Sequence, residues 1–150
     1  MTRVLVPLML FSNGIAAGVM LSTVIGIAPM TLALPYARYV ETIRFLWPRY
    51  DPFMPAINAV TFALDVLLAV VSSARFLFAL AAVLLAAVML VSVTKNVPIN
   101  KYVTSLDPEA CPSDWVQRDP RVSWRNWNLV RTVLVLLGLA TNVGAAATLL

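Results

Sequence analysis

The sequence has no histidine, one cysteine and only 12% charged residues among its 150 positions. Each scarcity excludes something. Zinc, copper, haem and non-haem iron sites lean on His and Cys, so their absence argues against a metal centre. A carboxylate-only site would have to draw on seven Asp and Glu, most of them in connecting segments. The lone Cys111 cannot form an internal disulfide, and no imidazole exists to deprotonate it, so neither a redox compartment nor a thiol nucleophile is read from it. The shortage of charge is far below the quarter or so usual in soluble chains. A net charge of +4 would suggest nucleic acid in a soluble protein. Here the basic residues flank apolar runs, which points to orientation in a membrane and to no nucleic-acid partner.

What is present is apolar. Hydrophobic residues make up 61% of the chain, and the mean hydropathy is +0.86. Four runs approach the roughly 20 residues that a helix needs to cross a bilayer: about 4–28, with apolar character continuing to 34, then 55–74, 76–93 and 128–150. A secretory signal is the alternative for the first run, but the run is too long and three more follow. The expected fold is an all-α integral membrane four-helix bundle forming one domain over 1–150, with connections at 35–54 and 94–127. Ser72, Ser73 and Arg75 mark a tight hairpin between the second and third runs. The third run, FLFALAAVLLAAVMLVSV, has almost no polar atoms and is expected to be the most lipid-exposed helix. Gly14, Gly18, Ser22 and Gly26 recur every four residues as a small-residue ridge that suits close helix packing. Pro29 is expected to bend or end the first helix.

Lys and Arg set the orientation. Arg3 and Arg75 lie on the side of the N-terminus and the hairpin turn; the other nine, from Arg38 to Arg131, lie on the opposite side. The excess places 35–54 and 94–127 in the cytoplasm and the termini outside, in what is expected to be a bacterial cytoplasmic membrane.

Few residues carry polar chemistry inside the runs. Asp65 sits mid-span, where a carboxylate costs about 2.5–3.5 kcal/mol on insertion scales. Two readings stand: a general base, or a protonated side chain bonded to Asn13, Asn142 or a backbone carbonyl. Asn58 and Thr61 share its helix face, and Gly138, Asn142 and Ala146 repeat at intervals of four. These polar groups serve either as interhelical bonds worth about a kcal/mol each or as a cavity lining. The stretch VSWRNWNLVRTV (122–133) puts Trp124, Asn128 and Arg131 on one face, with Trp127 at its edge. An aromatic belt with a snorkelling Arg explains part of this. An aromatic surface, an amide and a fixed cation at one depth would also suit a flat, oxygen-bearing ligand. Upstream, Asn96 and Asn100 bracket Pro98 in TKNVPINK, where they could cap helix ends or close turns. DPEACPSDW (107–115) reads as a solvent-exposed loop.

The run TKNVPIN, followed by DP and by W-x-x-W-N-x-x-R-T before the last span, resembles the anthrone oxygenase-like family of small four-helix membrane proteins. Thr94, Asn96, Pro98, Asn100, Trp124, Trp127, Asn128 and Arg131 carry the resemblance, with weaker similarity at Gly18, Pro29 and Tyr39. One departure is Leu129, where many members have His after the W-N pair. Any family mechanism that uses that imidazole is in doubt here. Characterised fungal members oxidise anthrones to anthraquinones with molecular oxygen and no cofactor. The resemblance thus implies a lipophilic substrate, oxygen as co-substrate and no other cofactor. It further implies that Asn128 and Arg131 bind an oxyanion, that Asn96 and Asn100 orient the substrate and that Trp124 and Trp127 stack on it. Asp65 as base, and Asn13 as a further substrate contact beside it, come from the residues themselves.

The leading expectation is therefore a membrane enzyme for redox tailoring of a small lipophilic or aromatic metabolite in natural-product biosynthesis, in contact with membrane lipids and open to homo-oligomerisation. The alternatives are another tailoring enzyme, such as a cyclase or isomerase, a non-catalytic accessory subunit or small-molecule binder, and, less favoured, a transporter, for which four helices without an evident inverted repeat are poorly suited.

Overall fold

In the computed structural model, which describes residues 1–149, every regular element is helical. The first is α1 (Thr2–Ser22), followed without interruption by a π-helical turn (Thr23–Ile27) and α2 (Ala28–Ala33). Then come α3 (Tyr36–Tyr50), α4 (Phe53–Val71) and α5 (Arg75–Val91). A second π-helical turn (Ser92–Asn96) leads into α6 (Val97–Ser105), and α7 (Trp115–Arg118) and α8 (Arg121–Ala147) complete the chain. Four helical stretches are long and apolar enough to cross a membrane: Thr2–Ala33, Tyr36–Val71, Arg75–Ser105 and Trp115–Ala147. The 21 residues of α1 rise about 31 Å, close to the hydrocarbon thickness of a bilayer. This is an all-α, four-helix integral membrane architecture.

The four long helices α1, α4, α5 and α8 form a ring in which α1 touches α4 and α8, and α5 touches the same two. Because consecutive spans run antiparallel, α1 and α5 are parallel across the ring. The core is layered along the bundle. Met9, Leu68, Phe78 and Ala145 close the end near the hairpin turn, and Ala16, Ala17, Met20, Leu85, Val88 and Val135 fill the middle. Tyr39, Val40, Ile43, Val103 and Trp115 form a third cluster where α3, α6 and α7 meet.

Several expectations need correction. The connections 35–54 and 94–127 are largely helical, because α3 and α6 have apolar faces to bury and the Pro residues do not stop the helices. The last helix begins at Arg121 rather than near 128, and the expected endpoint Leu150 lies outside the described residues. Pro29 and Pro98 neither end a helix nor call for an Asn cap. Proline lacks an N–H and crowds the carbonyl four residues back; ahead of each, the helix widens by one residue into a π turn and goes on. Ala28 N–H bonds to Thr23 O and Val97 N–H to Ser92 O, each five residues back. The third run is not the lipid-exposed helix: α5 packs between α4 and α8 and buries Phe78, Ala81, Ala82, Leu85 and Val88. Its lack of polar atoms suits a dry helix interface as well as it suits lipid. The ridge of Gly14, Gly18 and Gly26 does not meet another helix either, since a Cβ at any of them would touch nothing within 4 Å. The close approach lies instead at Gly138, where an added Cβ would sit 3.8 Å from Leu85 Cδ2.

Two arginines tie down the ends of α2 and α6. A helix C-terminus leaves carbonyls without intrahelical donors. Arg121 Nη1 donates to Leu34 O at 2.7 Å and to Thr31 O at 3.3 Å in the last turn of α2, while its other side-chain nitrogens bind Asp119. Arg44 does the same for α6, donating to Thr104 O at 3.2 Å and Leu106 O at 2.6 Å.

Candidate functional site

Below the cluster of α3, α6 and α7 the ring encloses a cavity of about 230 Å³. Its walls are mostly apolar. Ile43, Leu46, Trp47 and Tyr50 of α3 cover one side, on a single face at spacings of three and four. Val19, Met20 and Ile27 lie on the α1 side, and Met54 and Pro55 on α4. Both π turns reach it, through Thr23 in the first and Ser92 and Asn96 in the second. Ser92 and Asn96, the two ends of the second π turn, continue the buried face of α5 that runs through Leu85 and Val88, and the turn sets the facing of Val97 and Asn100 beyond it, which also line the cavity.

The polar groups converge from α8 and the second π turn. Arg131 donates from Nη1 to Ser92 Oγ at 2.9 Å and from Nη2 to Asn128 Oδ1, while its Nε is buried without a partner. No carboxylate pairs with it among the described residues. Asn128 Nδ2 is held by Trp124 O at 2.8 Å, which fixes the amide so that its oxygen faces the guanidinium. Trp124 Nε1 donates to Asn100 Oδ1 at 2.8 Å, locking the indole against the cavity wall. Asn96 is 2% exposed, and neither its amide oxygen nor its nitrogen has a partner among the described residues. A guanidinium fixed by two neutral acceptors, beside an unused amide, is suited to an anionic or electron-rich oxygen.

The residues expected from sequence thus separate into groups. Asn96, Asn100, Trp124, Asn128 and Arg131 line the cavity. Trp127 stands aside, with Lys95 Nζ 5.1 Å over its ring. Asp65 and Asn13 do not line the cavity. They meet Asn142 deeper in the bundle, all three 0% exposed, with Asn142 Nδ2 donating to Asn13 Oδ1 at 3.0 Å and to Asp65 Oδ2 at 3.4 Å. Asp65 lies seven residues past Asn58 on α4, about 10 Å along the helix. Between these levels Thr61 Oγ1 bonds to Ser12 Oγ at 2.9 Å. Sequence reasoning missed Asp51, the acidic residue of the lining, and the whole α3 wall. The signal for that wall was present as Ile43, Leu46, Trp47 and Tyr50 at helical spacing.

An all-α membrane bundle whose largely apolar cavity holds a cation that pairs with no carboxylate among the described residues is a candidate small-molecule site. The chain belongs to the anthrone oxygenase family, whose family model matches residues 45–141. That stretch contains all eight residues of the W-N and V-P-x-N patterns, whereas Gly18, Pro29 and Tyr39 lie outside it. Membership suggests a tailoring oxygenase. No curated protein and no solved structure matches the chain.

Proposed function

We propose that the protein is a cofactor-independent oxygenase that tailors a small lipophilic aromatic metabolite, taken from the membrane, whose ring carbonyl lies next to an acidic C–H, as in an anthrone. One observation carries the reading: Arg131, a cation without a carboxylate partner among the described residues, lines a largely apolar cavity beside the unpaired amide of Asn96.

A cation among apolar walls is costly unless an opposite charge appears. In the proposed reaction that charge is created by the chemistry. Removing a proton from the methylene places negative charge on the ring oxygen, where Arg131 and Asn96 stabilise it. Asp51, an exposed residue and the carboxylate of the lining, accepts the proton. The electron-rich anion reduces oxygen and combines with it at the former methylene carbon. The resulting hydroperoxide then loses water to leave a carbonyl. The step balances: each dioxygen converts one methylene to a carbonyl and releases one water. One of its oxygen atoms enters the product, the other leaves in the water, and the substrate supplies the electrons. Trp124 and Trp47 give flat contact surface, and the apolar walls keep bulk water away from the intermediate. The excess of Lys and Arg on this side of the bundle supports a cytoplasmic position for the α3 and α6 ends.

The test supplies anthrone under heavy-isotope oxygen to membranes containing the wild-type protein or Arg131→Ala at equal levels. One labelled atom per quinone, formed far faster than in membranes without the protein and lost in the variant, is the expected result. Rates equal to the background in both samples would sink the reading and favour an accessory role.

A further inference from the structure

The chain repeats itself. AGVMLSTVIGIAP (17–29) and AAVMLVSVTKNVP (86–98) are identical at six of 13 positions, 69 residues apart. The two π turns, Thr23–Ile27 and Ser92–Asn96, keep that offset, as do Pro29 and Pro98. On the partner helices the offset is 70, matching Asn58 of α4 with Asn128 of α8. Equivalent residues face one another across the cavity: Met20 and Met89, Thr23 and Ser92, Ile27 and Asn96, Asn58 and Asn128 all line it. The ring order, with α1 parallel to α5, is that of two helix pairs related by a two-fold axis along the bundle.

The two halves differ, among other positions, in how their paired asparagines are satisfied. Both asparagines hold their Nδ2 on the carbonyl four residues back, Asn128 on Trp124 O and Asn58 on Met54 O, each at 2.8 Å. That bond orients each amide, so the oxygen points away from the helix carbonyl and can only accept. In α8 the acceptor is filled by Arg131, three residues on. The equivalent of Arg131 in α4 is Thr61, whose hydroxyl is engaged with Ile57 O and Ser12. Asn58 Oδ1 is therefore left with no donor among the described residues, on a side chain 3% exposed. A buried acceptor left unfilled is unfavourable until a donor reaches it.

We infer that Asn58 is a specificity-determining binding residue, whose Oδ1 receives a hydroxyl or N–H of the substrate at the end of the molecule opposite the oxygen held by Arg131. This rests on the oxygenase reading and adds to it. The substrate class is then an amphiphilic ring system with an acceptor oxygen at one edge and a hydrogen-bond donor at the other. The repeat explains why one half supplies the donors of the site and the other an acceptor.

The experiment measures binding without oxygen, by quenching of tryptophan fluorescence, so that nothing turns over. The probes are anthrone and a ring-hydroxylated anthrone; the proteins are wild type, Asn58→Leu and Asn58→Asp in lipid nanodiscs. Asn58→Leu is expected to weaken the hydroxylated probe roughly 3- to 10-fold, as for loss of one neutral hydrogen bond. The unsubstituted probe should change less than about twofold. Asn58→Asp, which keeps an acceptor, should retain the preference for the hydroxylated probe. Equal losses for both probes, or none for either, would overturn the role of Asn58, while oxidation of both probes by the wild type in oxygen would leave the oxygenase standing. Failure of the wild type to bind or oxidise either probe would overturn both.

Discussion

At the scale of single residues, the two carboxylates of interest are sorted by position rather than by type. Asp65 is the one that a hydropathy plot singles out, yet it sits with Asn13 and Asn142 away from the cavity, whereas Asp51 lines it. Asp51→Asn is therefore expected to lower kcat on anthrone by about 100-fold or more, the range typical of a lost general base. Asp65→Asn is expected to keep turnover within a few-fold, because an amide can replace a buried, weakly bonded carboxyl without creating a charge. Oxygen uptake by the two variants decides; the reverse order would move the proton acceptor to the Asp65 layer. Arg131→Gln tests the cation apart from side-chain bulk. Its kcat/KM should fall by about 10- to 100-fold, since a hydrogen bond to a charged group is worth about 1.5–3 kcal/mol, and a near-normal value would show that the charge is dispensable.

At the scale of elements, the π turns decide which residues face inward. Pro98→Ala restores the missing N–H and permits an ordinary α-helical turn, which would rotate Asn96 by about 100° relative to α5. The expected outcome is a protein as stable as the wild type with turnover reduced about 10-fold or more; full activity would mean that the turn has no part in the site. Arg121 works at the level of helix ends. Removing its side chain leaves the α2 carbonyls without their donor and Asp119 with the backbone N–H of residue 121 alone, in a region where the pair is mostly shielded, with side chains 16% and 24% exposed. Arg121→Ala should lower resistance to denaturing detergent by about 1–3 kcal/mol, read from the unfolding midpoint, and an unchanged midpoint would remove it as a clamp. Asn128 and Arg131 were legible in the sequence because polar residues at the head of an apolar run are conspicuous. Asn58 was visible but its role was not, since that role depends on what Thr61 fails to provide.

At the scale of the whole molecule, the proposed orientation rests on charge, although not all nine basic residues on the α3 and α6 side are free. Arg44 and Arg121 cap helices and Arg131 lines the cavity. The remaining six still outnumber Arg3 and Arg75 on the other side, so the positive-inside bias holds. Cys111, the one cysteine, is exposed in the segment between α6 and α7 and reports the sidedness directly. A membrane-impermeant maleimide should leave it unlabelled in intact cells and label it in inverted vesicles; labelling in intact cells would reverse the orientation. The sequence alone determined the helical class, the four spans and the polar cluster on α8, because hydropathy and 3.6-residue spacing are local properties written in consecutive residues. The 69-residue repeat was also there to be read, in two VML runs each followed at the same distance by Pro29 or Pro98. Only the tertiary structure decided which helices are neighbours, that the glycine ridge of α1 faces outward and that Asp65 lies outside the cavity. Those outcomes depend on how the helices are rotated about their axes, which π turns at two prolines and packing against distant residues set together, and no local pattern encodes them.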